Sequence, residues 1–305
     1  MRFAIVAPRL SLLAVLAVAL LGALPARAQQ PAASIVVAIF APNAPFEGAD
    51  ARYSYVNRLA SHISSVAGVP AKGQAFARAG DFEGAVRKGT VDFAIVDSVY
   101  LASRTFKVIA TATTGGATSK HWALFVGAGI PNVLGLQGKR LAYASSSPRD
   151  LAFIEHAMLD SEVNVNKFFG SRQGTPDVAS AVAAVSLGKA DCVVAPVDRG
   201  RGLRKIFDAG AVPNPGFVQV KSGLPDATVA AVSKAVLGFG AGGALDGWRG
   251  GGGDAFRGLA GQMGARTRKA AMSEPDVLRL ESQDVLLLGK LDTTLPPLQH
   301  YFWTP

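Results

Sequence analysis

The sequence predicts an α/β protein in which mostly parallel sheets are flanked by helices. Short apolar runs of strand length, such as 34–40, 91–96 and 192–195, alternate along the chain with segments whose apolar residues recur at helical spacing, such as 53–66. Several of the helical segments also end at a glycine just before the next apolar run. Strands that alternate with helices in this way are typical of parallel sheets.

Each element has its own local signal. The strands are predicted over 34–40, 91–96, 107–113, 122–126, 140–144, 192–195 and 218–220, and the helices over 53–66, 82–88, 150–159, 178–187 and 226–237. Gly89 and Gly188 follow helices at a position where left-handed backbone is common. Pro148 and Pro225 stand at helix entrances, where the missing N–H of proline is tolerated.

A glycine-rich segment, 238–264, holds 12 glycines in 27 residues. We interpret it as a loop-rich connection between weak helices. A phosphate-cradling loop is the alternative interpretation, but the segment lacks the GxxxxGK[ST] pattern and no predicted strand directly precedes it.

Composition excludes several classes of protein. The 305 residues are 49% hydrophobic and 17% charged, which is too apolar for a disordered chain. The single cysteine, Cys192, excludes an intramolecular disulfide and a zinc site built from several cysteines. The length fits two domains or one large one, and the net charge of +9 hints at an anionic partner.

The first 28 residues have the pattern of a signal peptide. Arg2 and Arg9 precede the apolar run 10–24, and 26–28 (ARA) places small residues at a cleavage site before Gln29. An uncleaved anchor helix is the alternative, although the run is short for crossing a membrane. Cleavage leaves 28 basic and 22 acidic residues, a net charge of +6. We therefore expect a protein exported to the periplasm.

Three segments in order resemble one family. The segments 88–96 (KGTVDFAIV), 136–143 (LQGKRLAY) and 181–194 are similar to the periplasmic phosphate/phosphonate-binding components of ABC transporters. These are type 2 periplasmic binding proteins. The stretch 222–226 (SGLPD) also resembles the point where the chain of such proteins re-enters its first domain, and the similarity spans about 35–237.

The resemblance implies a two-lobed fold with a two-strand hinge near 113–120 and 214–217. Lobe 1 is then discontinuous, over 31–115 and 217–305, and lobe 2 covers 116–216. A ligand binds in the cleft between the lobes and closes it. The resemblance also implies a monomer that is not an enzyme and has no cofactor, and that delivers its ligand to an inner-membrane permease.

A serine turn carries the clearest site prediction. Ser145, Ser146 and Ser147 precede a helix, with Arg149 in its first turn, so that free N–H groups and hydroxyls face an oxyanion. A plain N-cap, which needs only one serine, is the alternative. The family carries a glycine in this turn, whereas this chain has 148–150 (PRD); Arg149 offers a bidentate contact instead.

The other candidates follow the remaining strands, because ligands of open α/β sheets gather at the carboxyl ends of strands. The full set of predicted ligand-binding residues is Asn43, Asp97, Ser98, Tyr100, Ser145, Ser146, Ser147, Arg149 and Asp198. Asp97 repels a phosphate unless a proton or cation intervenes; it suits a ligand's ammonium group, or it is simply a solvated turn residue. Tyr100 fits ligand contact and core packing equally.

The sequence lacks the patterns that are typical of other functions. The four histidines have no metal-ligand spacing, no GxSxG pattern indicates a serine hydrolase, and the basic residues are too dispersed for a nucleic-acid site. The sequence therefore predicts a solute-binding protein for a small oxyanion of the phosphonate, phosphate or phosphite class. An extracytoplasmic sensory or adaptor protein with the same fold is the alternative, suggested by the altered serine turn, the glycine-rich segment and the aromatic end 300–303.

Overall fold

The computed structural model describes residues 34–240 and 242–265, which form two mixed sheets flanked by helices. The predicted signal peptide, its cleavage site and the aromatic end 300–303 lie outside the described residues. No described helix combines the length and the apolar character needed to cross a membrane.

The first sheet contains six strands: β1 (Ile35–Phe40), β2 (Ala71–Ala75), β3 (Phe93–Val96), β4 (Lys107–Thr113), β10 (Gly216–Gln219) and β11 (Gly247–Gly250). Their order is β11-β4-β10-β3-β1-β2. β1 pairs in parallel with β2 and β3, whereas β10 and β11 add antiparallel pairs with β3 and β4.

The second sheet contains five strands: β5 (Ser119–Val126), β6 (Arg140–Ala144), β7 (Ser171–Thr175), β8 (Cys192–Pro196) and β9 (Arg204–Pro213). Their order is β7-β6-β8-β5-β9. β6 is parallel to β7 and β8, and β5 is antiparallel to β8 and β9.

The described helices are α1 (Ala49–Ala67), α2 (Ala79–Arg87), α3 (Ser98–Leu101), α4 (Asp150–Ala152), α5 (Val165–Phe168), α6 (Val178–Ser186), α7 (Asp226–Leu237) and α8 (Gly253–Ala265). α4 continues as a π-helical stretch over Phe153–Met158, and 3₁₀ turns cover Leu134–Leu136 and Val197–Arg199. We call the first sheet with α1, α2, α3 and α7 the first lobe, and the second sheet with α4, α5 and α6 the second lobe.

Strand β1 is buried along its whole length because helices cover both faces of the first sheet. Alternate side chains go to opposite faces: Val37 and Ile39 join the core under α1 and α7, whereas Ala38 and Phe40 join the core under α2 and α3. This explains why the sequence shows a continuous apolar run there rather than an alternating one.

Two short segments of the chain, which we call the crossings, connect the lobes, and the side chain of one residue joins the two crossings. The chain passes from β4 to β5 and returns from β9 to β10. The buried Asn214 donates from Nδ2 to the carbonyl oxygens of Ala112 at 3.1 Å and Ala117 at 2.9 Å. Its own N–H bonds to Thr118 O at 2.8 Å. The two crossings are therefore held together at the hinge that the family resemblance implies.

The glycine-rich segment is more ordered than the sequence predicts. It forms β11, which pairs with β4, and the 13-residue helix α8. Phe256 packs in the core of the first lobe, whereas Leu259 and Met263 pack in the core of the second. These apolar residues have helical spacing, but the many glycines between them favour a loop when the sequence is considered alone. The domain division at 115/116 and 216/217 stays a prediction, and α8 belongs to neither core alone.

Sequence reasoning also missed β2, β7 and β9. β2 (AKGQA) and β7 (SRQGT) are polar edge strands, and only alternate residues of β2 are even partly covered. Such strands form because the neighbouring β1 and β6 offer unpaired backbone groups, a tertiary cause that leaves little trace in local sequence.

Gly170→Ala is expected to destabilise the protein by about 1–3 kcal/mol, because the new Cβ would overlap the carbonyl oxygen of Gly138. Gly84→Ala is the matched control: this position lies inside α2 with open space around it. Alanine there should stabilise by about 0.5–1 kcal/mol. Urea unfolding of both variants checks the pair, and equal effects would contradict the close approach at Gly170.

Candidate functional site

Three of the predicted ligand loops meet between the lobes. Asn43 follows β1 and Asp97 follows β3 in the first lobe, and the serine turn follows β6 in the second. Asn43 Nδ2 donates to Ser146 Oγ at 3.3 Å. Ser103 Oγ lies 3.3 Å from Ser147 Oγ. The lobes are thus in direct contact at the carboxyl ends of their central strands, where open α/β sheets bind ligands.

The donors of the serine turn converge on a carboxylate of the chain itself. Ser146 N–H donates to Asp150 Oδ2 at 2.9 Å, and Ser146 Oγ donates to Oδ1 at 2.8 Å. Ser147 N–H lies 3.0 Å from both oxygens of Asp150. Ser147 Oγ in turn accepts from the N–H of Arg149 at 3.1 Å. These bonds close a tight turn just before α4, and they use the groups that the sequence assigns to an oxyanion.

Burial shifts the protonation of two facing carboxyls. Burial raises the pKa of Asp97 to about 8; the hydrogen bonds from Asn43 oppose the shift, and the charge of Asp150 adds to it. Burial also raises the pKa of Asp150 to about 6, against the lowering effect of the serine hydrogen bonds. At neutral pH Asp97 is therefore mostly protonated and Asp150 mostly ionised. The interpretation of Asp97 as a solvated turn residue is wrong, because its side chain is buried and its Oδ2 accepts from Asn43 N–H at 2.8 Å.

Little space remains beside these carboxyls. A cavity of about 10 Å³ lies between the polar side chains of Asn43 and Asp150 and the aromatic rings of Trp122, Tyr143 and Phe153. This volume is at the lower limit for one water molecule. A molecule larger than water fits beside these carboxyls only if the lobes separate or Asp150 moves.

Arg52 is an interlobe residue that sequence reasoning missed. Its Nη2 donates to Asp177 Oδ2 of the second lobe at 3.3 Å, and its side chain is 5% exposed. Its buried Nη1 has no hydrogen-bond partner among the described residues. Nearby, Val178 N–H donates to Pro42 O at 3.0 Å. The available signal was a cation in the first turn of the helix that follows β1.

The predicted site is divided in two by the structure. Asp198 accepts from Lys120 Nζ at 2.7 Å, and Arg199 Nη1 donates to Glu47 Oε1 at 2.5 Å. These residues line a separate pocket of about 470 Å³ beside Phe46, near the hinge. Asp198 is therefore not brought to the serine turn.

Four other predicted residues make structural contacts. Tyr100 packs in the first-lobe core, 5.5 Å from the ring of Phe82, with Arg104 over its own ring. Ser98 is buried in the first turn of α3. Ser145 is exposed, and its N–H donates to Thr175 O at 2.8 Å. Arg149 Nη2 donates to Met263 O at 3.0 Å, so it ties the serine turn to α8. The structure does not bring these side chains together as a site.

This fold, with two α/β lobes meeting at the carboxyl ends of their strands, defines the class of two-lobed periplasmic binding proteins. PhnD1 from Prochlorococcus marinus in complex with methylphosphonate matches at 13% identity and a TM-score of 0.59, over 77% of this chain and 98% of that chain. A binding protein component of an ABC phosphonate transporter from Pseudomonas aeruginosa matches at 13% identity and a TM-score of 0.58, over 81% and 99%. XAC2383 from Xanthomonas citri bound to ATP matches at 13% identity and 0.58, over 78% and 98%. At this identity the three likenesses show the fold alone.

A family model identifies the chain more closely. The model described as "ABC transporter, phosphonate, periplasmic substrate-binding protein" matches residues 43–250, more than half of the sequence. The chain therefore belongs to this family of binding proteins, as the three sequence segments indicated. Membership implies a periplasmic location, a small-molecule ligand and a membrane permease as partner. No curated protein matches the sequence.

Asp97→Asn is expected to remove a pH dependence of stability. A carboxyl whose pKa is raised to about 8 contributes stability that is complete below about pH 4 and is lost as the pH rises through 8. Between pH 7 and 9 this loss amounts to about 1 kcal/mol in the native protein. Denaturant unfolding at both pH values measures it. An equal loss in Asp97→Asn and the native protein would exclude Asp97 as the cause.

Proposed function

We propose that this protein is exported and binds a small oxyanion of the phosphonate, phosphate or phosphite class between its lobes, for delivery to an ABC permease. One observation carries the proposal: the two N–H groups and the hydroxyl of the serine turn already converge on the two oxygens of a carboxylate. A donor set that holds the two oxygens of a carboxylate is suited to two oxygens of a phosphonate, phosphate or phosphite.

Asp97 supports an anionic ligand once its protonation is considered. A carboxylate facing a phosphonate repels it, whereas a buried carboxylic acid donates a hydrogen bond to one of its oxygens. The raised pKa of Asp97, about 8, favours the acid at neutral pH. Asn43 adds an amide donor, which now bonds to Ser146 Oγ.

Binding in this proposal depends on lobe movement. The cavity of about 10 Å³ excludes a phosphonate from the closed form, so the ligand enters an open form and the lobes close over it. Rotation at the crossings held by Asn214 is the simplest route, since few interlobe hydrogen bonds have to break. The closed form then offers the permease a surface made by both lobes.

A second candidate function is sensory or adaptor activity without transport. The specific observation in its favour is that the closed cleft is filled by the chain's own groups, with Asp150 on the donors and the rings of Trp122 and Phe153 5.7 Å apart beside it. A protein whose closed state needs no ligand has lost the usual link between closure and binding. Co-purification with a sensor kinase rather than a permease would favour this candidate.

Calorimetric titration with methylphosphonate, phosphate and phosphite tests the proposed ligand class. We expect at least one of them to bind, with a change in Trp122 fluorescence because this ring lines the cavity. Ser146→Ala removes a hydroxyl that bonds to the present carboxylate and should weaken binding about ten-fold, or about 1.4 kcal/mol.

Ser145→Ala is the matched control, since its side chain is exposed one residue away and its backbone N–H is kept. Its affinity should equal that of the native protein. Absence of binding by all three oxyanions between pH 5 and 8 would refute the ligand class.

A further inference from the structure

Asp150 stands where an oxyanion ligand of the serine turn would place its oxygens. Both of its carboxylate oxygens accept hydrogen bonds from Ser147 N–H, and each accepts one more from Ser146. A ligand and Asp150 cannot use the same three donors at once. The side chain is also 5% exposed, so it is not displaced by solvent in the closed form.

We propose that Asp150 is a built-in competitor of the ligand, and that an oxyanion occupies the serine turn only when the Asp150 carboxylate has released it. This inference rests on the proposed function and adds its regulation: the competitor sets the affinity and makes it depend on pH.

The charges around Asp150 explain the dependence on pH. Asp97 faces it from the first lobe, Tyr143 approaches from β6, and Arg149 on the same turn is engaged with Met263 O. No cation among the described residues forms an ion pair with Asp150. The negative charge of an ionised Asp150 beside a bound dianion is therefore not neutralised by an ion pair. Protonation removes the repulsion and weakens the hold of the carboxyl on the serine N–H groups.

Arg52 gives an independent sign that the interlobe contact has a place for an anion. Its side chain is 5% exposed and its Nη1 has no hydrogen-bond partner among the described residues. A buried, unpaired guanidinium N–H is costly unless a ligand satisfies it in another state. Arg52 also lies close enough to lower the pKa of Asp97. Arg52 thus leaves an unused positive donor in the contact between the lobes, close to Asp97.

Asp150→Asn and Asp150→Gly separate competition from a structural role of the side chain. Asparagine keeps the shape and one acceptor oxygen but removes the charge, whereas glycine removes the competitor entirely. A purely structural role predicts that both variants unfold more easily and bind more weakly. Competition predicts that both bind sulfate and methylphosphonate at least ten-fold more tightly than the native protein at pH 7.5.

The pH profile provides the second measurement. Sulfate does not titrate between pH 5 and 8, so any change in its affinity reports on the protein. The native protein should bind sulfate about ten-fold more tightly at pH 5.5 than at pH 7.5, and this difference should shrink in Asp150→Asn. Methylphosphonate titrates itself, but equally with every protein, so its comparison between variants remains valid. Asp208→Asn, at an exposed carboxylate on β9, is the control and should behave as the native protein.

The outcomes separate this inference from the proposed function. Oxyanion binding with equal affinity in the native protein and both Asp150 variants overturns the competition and leaves the proposed function standing. Weaker binding by the variants also overturns it and makes Asp150 a positioning residue. Absence of binding in every protein at every pH overturns the proposed function itself. If Asp150→Gly fails to fold, Asp150→Asn still decides, because it preserves the shape of the turn.

Discussion

Burial of carboxyl groups between the lobes is the constraint on which the closed structure depends. Asp97 and Asp150 are both removed from water in this structure, and each must then be protonated or hydrogen-bonded. Asp150 is held by the serine turn, and Asp97 by Asn43 N–H together with a raised pKa. The hydrogen bonds that satisfy Asp150 also occupy the donors to which the proposed ligand would bind.

Two crossings and helix α8 connect the lobes around this contact. The hinge consists of two crossings held by Asn214, and α8 packs into both cores through Phe256, Leu259 and Met263. Arg149 links the serine turn to the end of this helix. The serine turn is therefore connected through α8 to the cores of both lobes.

The central strands and the main helices were predictable because their signals are local. β1, β3 and β8 are buried along their whole length, which makes their apolar runs continuous, and α7 lies where the spacing of its apolar residues predicts it. Edge strands β2 and β7 were not predictable, since they pair with a neighbour rather than bury a face. Helix α8 was not predictable because its glycines disfavour a helix, and its packing against the two cores stabilises it.

The sequence by itself determined the α/β class, the family, and the serine turn as a cluster of hydrogen-bond donors. These depend on residue type and on spacing along the chain. Only the tertiary structure decided what the donors meet. Asp150 follows the serines by three and four residues in sequence, but only the tertiary structure buries it near Asp97, and this burial raises the pKa of both. Arg52 and Asp177 are 125 residues apart, and Asp198 lies in a different pocket from Ser146. Such pairings are set by how two sheets approach each other, and no local pattern encodes that approach.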